Sequence, residues 1–167
     1  MNVSQALAAH VKSLGIDHVF GVVGGGSMYL NDAFREIFIP CHHEQAAAFA
    51  ADAYARLRGI GCVLVTTGPG GTNAITGCAA SWVDSIPVIF ISGQVMAKDM
   101  IADSGVRQSG LQETNICAVV REFTKKAVVA KRKTAVEEFK HLATFAKATR
   151  SGPIWFDVPL DVQSASI

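Results

Sequence analysis

A chain of 167 residues and 17.7 kDa folds to roughly 8,000 Å² of surface against about 25,700 Å² unfolded, which suits one domain with a proper core and leaves two cramped. Half of its residues are hydrophobic and 17% are charged, below the roughly 25% of an average soluble domain, so either part of the surface serves another protein or a continuous apolar sheet absorbs the excess. Fifteen Lys and Arg against 14 Asp and Glu leave a net charge of +1, which excludes a global field recruiting nucleic acid or an anionic membrane.

Strand-like and helix-like stretches alternate along the chain. Gln5 to Leu14 carries apolar residues at helical spacing and is stopped by Gly15, and a short run follows at His18 to Phe20. The segment GVVGGG, residues 21–26, is a flexible turn, and Ser27 is placed to cap a helix through Phe34. Ile37 to Cys41 reads as a second strand. The alanine-rich stretch Gln45 to Leu57 reads as a strong helix ended by Gly59. Cys62 to Thr66 is β-rich, and the turn TGPGGT (residues 67–72) opens a helix to about Trp82. Pro87 to Ile91 is apolar on both faces, as a central parallel strand should be. Ala127 to Ala130 reads as strand, Thr134 to Thr149 as amphipathic helix and Pro153 to Val158 as a last strand. The expected architecture is therefore a three-layer α/β domain: a mostly parallel, twisted sheet of about six strands with helices on both faces. Between Ser92 and Thr114 the periodicity fails, apart from a possible short helix at Met96 to Ala102, and so long an irregular segment in a compact domain is usually functional or ordered by a partner.

Several familiar chemistries are absent. No lysine follows the glycine clusters, so there is no P-loop, and a dinucleotide fingerprint would need its third glycine at Asn73 or at Tyr29. Cys41, His42, His43 and Glu44 look like metal ligands in a line of text, but consecutive residues of an extended segment point to opposite faces and cannot close on one ion. No G-x-S-x-G elbow supports a serine hydrolase. The basic residues from Arg121 to Lys133 are interrupted by AVVA and read as solvated strand ends. Cys41, Cys62, Cys78 and Cys117 show no CxxC spacing, the N-terminus has no secretory pattern, and the aliphatic runs are far short of a membrane span. Reduced thiols in a cytoplasmic protein are the expectation.

Glu44 stands where a strand gives way to a helix of small apolar residues. A carboxylate in a first helical turn favours the dipole. Yet this helix is expected to be buried, and a carboxylate taken out of water is expensive unless partnered and holds a proton more readily. Such a group suits proton sharing with a ligand nitrogen.

The strings HHEQAAAFAADAYARLRG, VLVTTGPGGTNAITG, SIPVIFISGQV, RQSGLQETNI and SGPIWFDVPLDVQ, in this order along essentially the whole chain, resemble the N-terminal, pyrimidine-binding domain of thiamine-diphosphate enzymes, acetolactate synthase-like proteins in particular. The resemblance implies a role for Glu44 as the glutamate that hydrogen-bonds N1′ of the cofactor's aminopyrimidine, favouring the imino tautomer whose 4′-nitrogen takes the proton from thiazolium C2. It implies that Thr67, Pro69 and Asn73 lie beside the pyrimidine, that Gly25 and Gly26 form the turn near the reacting carbon, and that Gln94 and Gln112 face the cleft, Gln112 toward the cofactor and Gln94 toward the substrate. Each of the loop residues also has a purely structural reading, as helix start or backbone partner.

Two positions depart from the pattern: Val23 stands where acetolactate synthases generally carry a proline, and Leu160 where they commonly carry a lysine. They leave open a 2-oxo-acid decarboxylase, another carboligase or a 2-hydroxyacyl lyase. The family's Gly-Asp-Gly anchor for diphosphate and magnesium does not occur in these residues. The expectation is a lyase or transferase half-site working with a diphosphate-binding domain or subunit that holds Mg²⁺, most simply as a homodimer or tetramer. The alternative is a non-catalytic assembly or regulatory module of the same fold. Neither nucleic acid nor membrane is an expected partner.

Overall fold

The computed structural model describes residues 1–101 and 104–167. In chain order it contains α1 (Val3–Ser13), β1 (Val19–Gly21), α2 (Met28–Phe34), β2 (Phe38–Pro40), α3 (Glu44–Arg58), β3 (Gly61–Val65), α4 (Pro69–Val83), β4 (Val88–Gln94), α5 (Ile116–Val119), β5 (Lys126–Val129), α6 (Ala135–Lys147), β6 (Ile154–Pro159) and α7 (Leu160–Gln163). All pairings within the sheet are parallel, and its six strands lie in the order β2-β1-β3-β4-β6-β5. The expected α/β sheet is present, with helices packed on both of its faces.

The alternation of side chains along the central strands builds two cores. Cys62, Leu64, Ile89, Ile91, Ile154, Phe156 and Val158 face α1, α2 and α6. Val63, Val65, Val88, Phe90 and Trp155 face α3, α4 and α5. Phe90 and Trp155 stack with centroids 4.9 Å apart. The runs read as apolar on both sides are apolar because each side has its own layer of helices.

Small residues let α3 and α4 approach closely. A Cβ on Gly77 would fall 2.4 Å from the Cβ of Ala48. Below that contact Ser81 donates to the buried Asp52 at 2.7 Å, and Arg56 bridges Asp52 and Asp84.

Some boundaries differ from the sequence reading. Ser27 occupies the N-cap position of α2 without capping it; its hydroxyl bonds Asn31 Oδ1 at 2.7 Å, and Gly25–Ser27 is a 3₁₀ turn. β4 runs on through Ser92, Gly93 and Gln94, because β6 continues beside it and supplies the ladder. The helix expected from Met96 to Ala102 is a 3₁₀ turn at Ala97–Asp99, and Ala102 and Asp103 lie outside the described residues. The four-residue helices α5 and α7 were not foreseen.

Candidate functional site

The chain turns from β1 to β2 on one side and returns to place β3 on the other. Loops leaving β1 and β3 therefore diverge, and a crevice opens at the carboxyl ends of these strands, where open α/β sheets hold ligands. Its two walls touch. A Cβ on Gly26 would lie 2.1 Å from Thr67 Oγ1, and one on Gly93 would lie 2.1 Å from the Gly26 carbonyl oxygen. Thr67 Oγ1 in turn donates to the Gly93 carbonyl at 3.0 Å. Glycine at these positions is what lets β1, β3 and β4 close on one another.

Above this contact is a cavity of about 470 Å³ whose lining includes Gly25, Gly26, Thr67, Gln94 and Gln112, together with Val95, Met96, Asp99, Leu111 and Leu160. Gln112 holds a left-handed backbone at φ 56°. Its carbonyl packs so tightly on Gly68, itself at φ 58°, that a Cβ there would fall 2.0 Å away. That contact fixes the irregular segment onto the loop after β3 and leaves the Gln112 side chain exposed. Gln94 is otherwise employed. It is 1% exposed, donates from Nε2 to Asp157 Oδ2 and to the Thr114 carbonyl, both at 3.0 Å, and accepts from the Val95 amide.

Glu44, Asn73 and Pro69 form a second group beside the cavity rather than in its lining. Glu44 is the first residue of α3 and is 9% exposed. The cap is made by His43, whose Nδ1 accepts from the Gln45 amide at 3.1 Å, so Glu44 is not spent on closing the helix. Asn73 Nδ2, on α4, donates to Glu44 Oε2 at 3.0 Å. The other oxygen, Oε1, meets no donor among the described residues. Pro69 opens α4 at the first position, where its missing N–H costs nothing, and the Thr67–Pro69 loop joins the two groups.

Sequence reasoning missed the buried network behind Gln94. Asp157, in β6, is 1% exposed and sits in register with Ser92 of β4. Ser92 Oγ donates to Asp157 Oδ1 at 2.6 Å and accepts from the Trp155 indole N–H at 2.8 Å. Burial pushes the Asp157 carboxyl up to about 7; the bonds from Ser92 and Gln94 oppose this, and the Glu113 charge adds to it. Glu113 is itself 8% exposed and accepts from the amides of Ile101, Ser109 and Gly110, folding the irregular segment over the cavity. One signal was available for Asp157: an acid inside IWFDVP, a run apolar on both faces.

Among the described residues no group of three or more His, Cys, Asp or Glu is placed to hold a metal ion, and no helix is long and apolar enough to cross a membrane. The four cysteines are free, and burial pushes the thiols of Cys62, Cys78 and Cys117 well up.

Parallel sheet, switch-point crevice and a half-satisfied carboxylate at its edge define an α/β domain with a candidate ligand site. Comparison with known proteins gives the family: the pattern "Thiamine pyrophosphate enzyme, N-terminal TPP binding domain" matches residues 1–119, and the chain belongs to that family. An acetolactate synthase large subunit of Buchnera aphidicola (subsp. Schizaphis graminum) is 41% identical over 154 residues, 89% of this chain and 26% of that protein. The Haemophilus influenzae large subunit is 35% identical over 164 residues, 95% and 28% respectively. The Escherichia coli isozyme 2 large subunit is 36% identical over 174 residues, 99% and 30%. The chain thus spans less than a third of the length of these relatives.

Proposed function

We propose that this domain is the pyrimidine-binding half of a thiamine-diphosphate enzyme that decarboxylates or joins 2-oxo acids, in the manner of acetolactate synthase. The observation that carries the reading is Glu44: nearly buried, relieved of capping by His43, held through Oε2 by Asn73, and open at Oε1.

Such a carboxylate fits an aminopyrimidine. Asn73 fixes the plane of the carboxylate, and Oε1 is left to share a proton with a ring nitrogen. Pro69 and Thr67 would border the ring, and the Gly25–Gly26 turn, with no side chain in the way, would leave room for the reacting end. The exposed Gln112 amide offers a donor and an acceptor toward the same cavity. When bound, thiamine diphosphate supplies the electron sink for breaking or making a carbon–carbon bond next to a carbonyl. The part of this chain is to hold the ring, orient it and hold a proton at Glu44 Oε1. The diphosphate and Mg²⁺ belong, in this proposal, to a diphosphate-binding domain outside these 167 residues, most simply that of a partner subunit in a homodimer.

Calorimetry of the 167-residue chain with thiamine diphosphate and magnesium tests the division of labour. A pyrimidine-only contact forgoes the charge-assisted phosphate bonds, which are the strong ones, so binding is expected to be very weak and 2-oxo-acid decarboxylation absent. Micromolar binding by a monomer would overturn the proposal, because the diphosphate anchor would then lie in this chain.

A further inference from the structure

A second cavity, of about 510 Å³, opens at the opposite end of the sheet, lined by Trp82, Val83, Lys125, Thr149, Arg150 and Ser151. Trp82 and Val83 end α4 ahead of β4, Lys125 precedes β5, and residues 149–151 precede β6. In an all-parallel sheet these are amino ends of strands, so the cavity is remote from the crevice at the carboxyl ends and takes no part in the proposed function.

Its chemistry is specific. The Trp82 side chain is 38% exposed and lies over Gly152, where a Cβ would stand 3.6 Å from Trp82 Cε3 and 3.2 Å from Lys125 Cγ. The floor thus stays open between an indole and a lysine stem. The Lys125 ammonium donates to the carbonyls of Ala148 (2.7 Å) and Thr149 (3.2 Å), which fixes it and leaves a third N–H. Arg150 Nε donates to Ser85 Oγ at 2.9 Å, leaving its four terminal N–H groups. Among the described residues neither cation forms an ion pair, and Asp84, the acid next to Ser85, is held by Arg56. Two anchored cations and an indole face therefore converge on a space within the 300–1,000 Å³, roughly, of small-ligand sites. The cations call for an anion with several acceptor oxygens, the indole for a flat ring, and the hydroxyls of Thr149 and Ser151 offer bonds to a polar linker between them.

We propose that this cavity binds a nucleoside monophosphate, ring on Trp82 and phosphate between Arg150 and Lys125. Phosphate bonded by Arg150 and ring stacked on Trp82 each strengthen a weak contact, and neither half alone satisfies the site.

The chain contains a built-in reporter. Of its two tryptophans, Trp82 is open and Trp155 is fully buried, so a stacked base quenches only the first. The 167-residue chain is titrated with AMP, adenosine and inorganic phosphate, following tryptophan emission, with equilibrium dialysis of AMP alongside. AMP is expected to bind about tenfold more tightly than adenosine, the factor that corresponds to about 1.4 kcal/mol, and phosphate alone is expected to leave the emission unchanged. Trp82→Phe abolishes the quench. Arg150→Asn, with a residue that tolerates left-handed backbone at this φ of 48°, reduces AMP to the level of adenosine. No AMP uptake at millimolar concentration, equal binding of adenosine and AMP, or full AMP binding by Arg150→Asn would each overturn the assignment.

Discussion

A carboxyl held in the sheet interior makes the stability of this fold depend on pH in a predictable direction. Asp157 is 1% exposed, and burial lifts its proton affinity from the ordinary 3.8 to about 7. At pH below the lower value, folded and unfolded chains both carry the proton and the group is neutral in the balance. As pH rises the unfolded chain ionises first, while the folded chain keeps its proton, so unfolding gains ground. The loss is complete once pH passes the folded value. The gap from 3.8 to about 7, at about 1.36 kcal/mol per pH unit, bounds the effect at about 4 kcal/mol. Asp157→Asn removes the titration and nearly keeps the shape. Its amide can present Oδ1 to Gln94 Nε2 and Nδ2 to Ser92 Oγ, as the protonated acid presents its carbonyl oxygen and its hydroxyl, so the variant should start close to the wild type in acid. Urea unfolding of both proteins from acid to mildly alkaline pH reads the difference, and common titrations cancel. The wild type should lose stability relative to the variant steadily from acid to neutral pH and lie below it above neutrality. A constant gap across the range would refute the reasoning.

Three other outcomes follow from the same geometry. In a complete assembly, Glu44→Gln should slow C2 proton exchange of bound thiamine diphosphate by about 10²–10⁴-fold while thermal unfolding barely moves, since His43 keeps the cap; undiminished exchange would remove Glu44 from the chemistry. Gly26→Ala drives a Cβ to within 2.1 Å of Thr67 Oγ1 and should cost about 1–3 kcal/mol, read as a lower urea midpoint at unchanged slope. Ser81→Ala strips the buried Asp52 of a 2.7 Å bond and should cost about 1–3 kcal/mol, a loss that differential scanning calorimetry resolves.

What could be read from the residues was whatever depends on neighbours in sequence. Pro87 to Ile91 and Pro153 to Val158 announce central strands because both faces are apolar, and both strands, β4 and β6, are interior in the sheet. The burial of Glu44 follows from the alanines after it, and its nearness to Asn73 from the resemblance alone. What could not be read depends on pairing. Ser92 and Asp157 are 65 residues apart, and they meet only because β6 inserts between β4 and β5 in one register. Likewise α5 and α7 are four residues each, too short to show a period, and are helical because the chain must turn against a wall already built.

The two carboxylates separate burial from function. Both are nearly removed from water, and by desolvation alone Asp157, 1% exposed against 9% for Glu44, would be the stronger candidate for chemistry. Its oxygens are both taken, one by Ser92 and one by Gln94, and Trp155 and the Thr114 carbonyl close the network behind them. A ligand arriving at the cavity finds that carboxyl bonded on both oxygens and out of reach, 1% exposed. Glu44 is held by one donor on one oxygen, which orients the group and leaves the other oxygen to be completed from outside. In the proposed function the unfinished set on Glu44 is the one a ligand completes, while the finished set on Asp157 supports the wall behind Gln94. Adding a donor to the free oxygen is therefore the perturbation that should cost ligand binding, and adding one to Asp157 should cost only the fold.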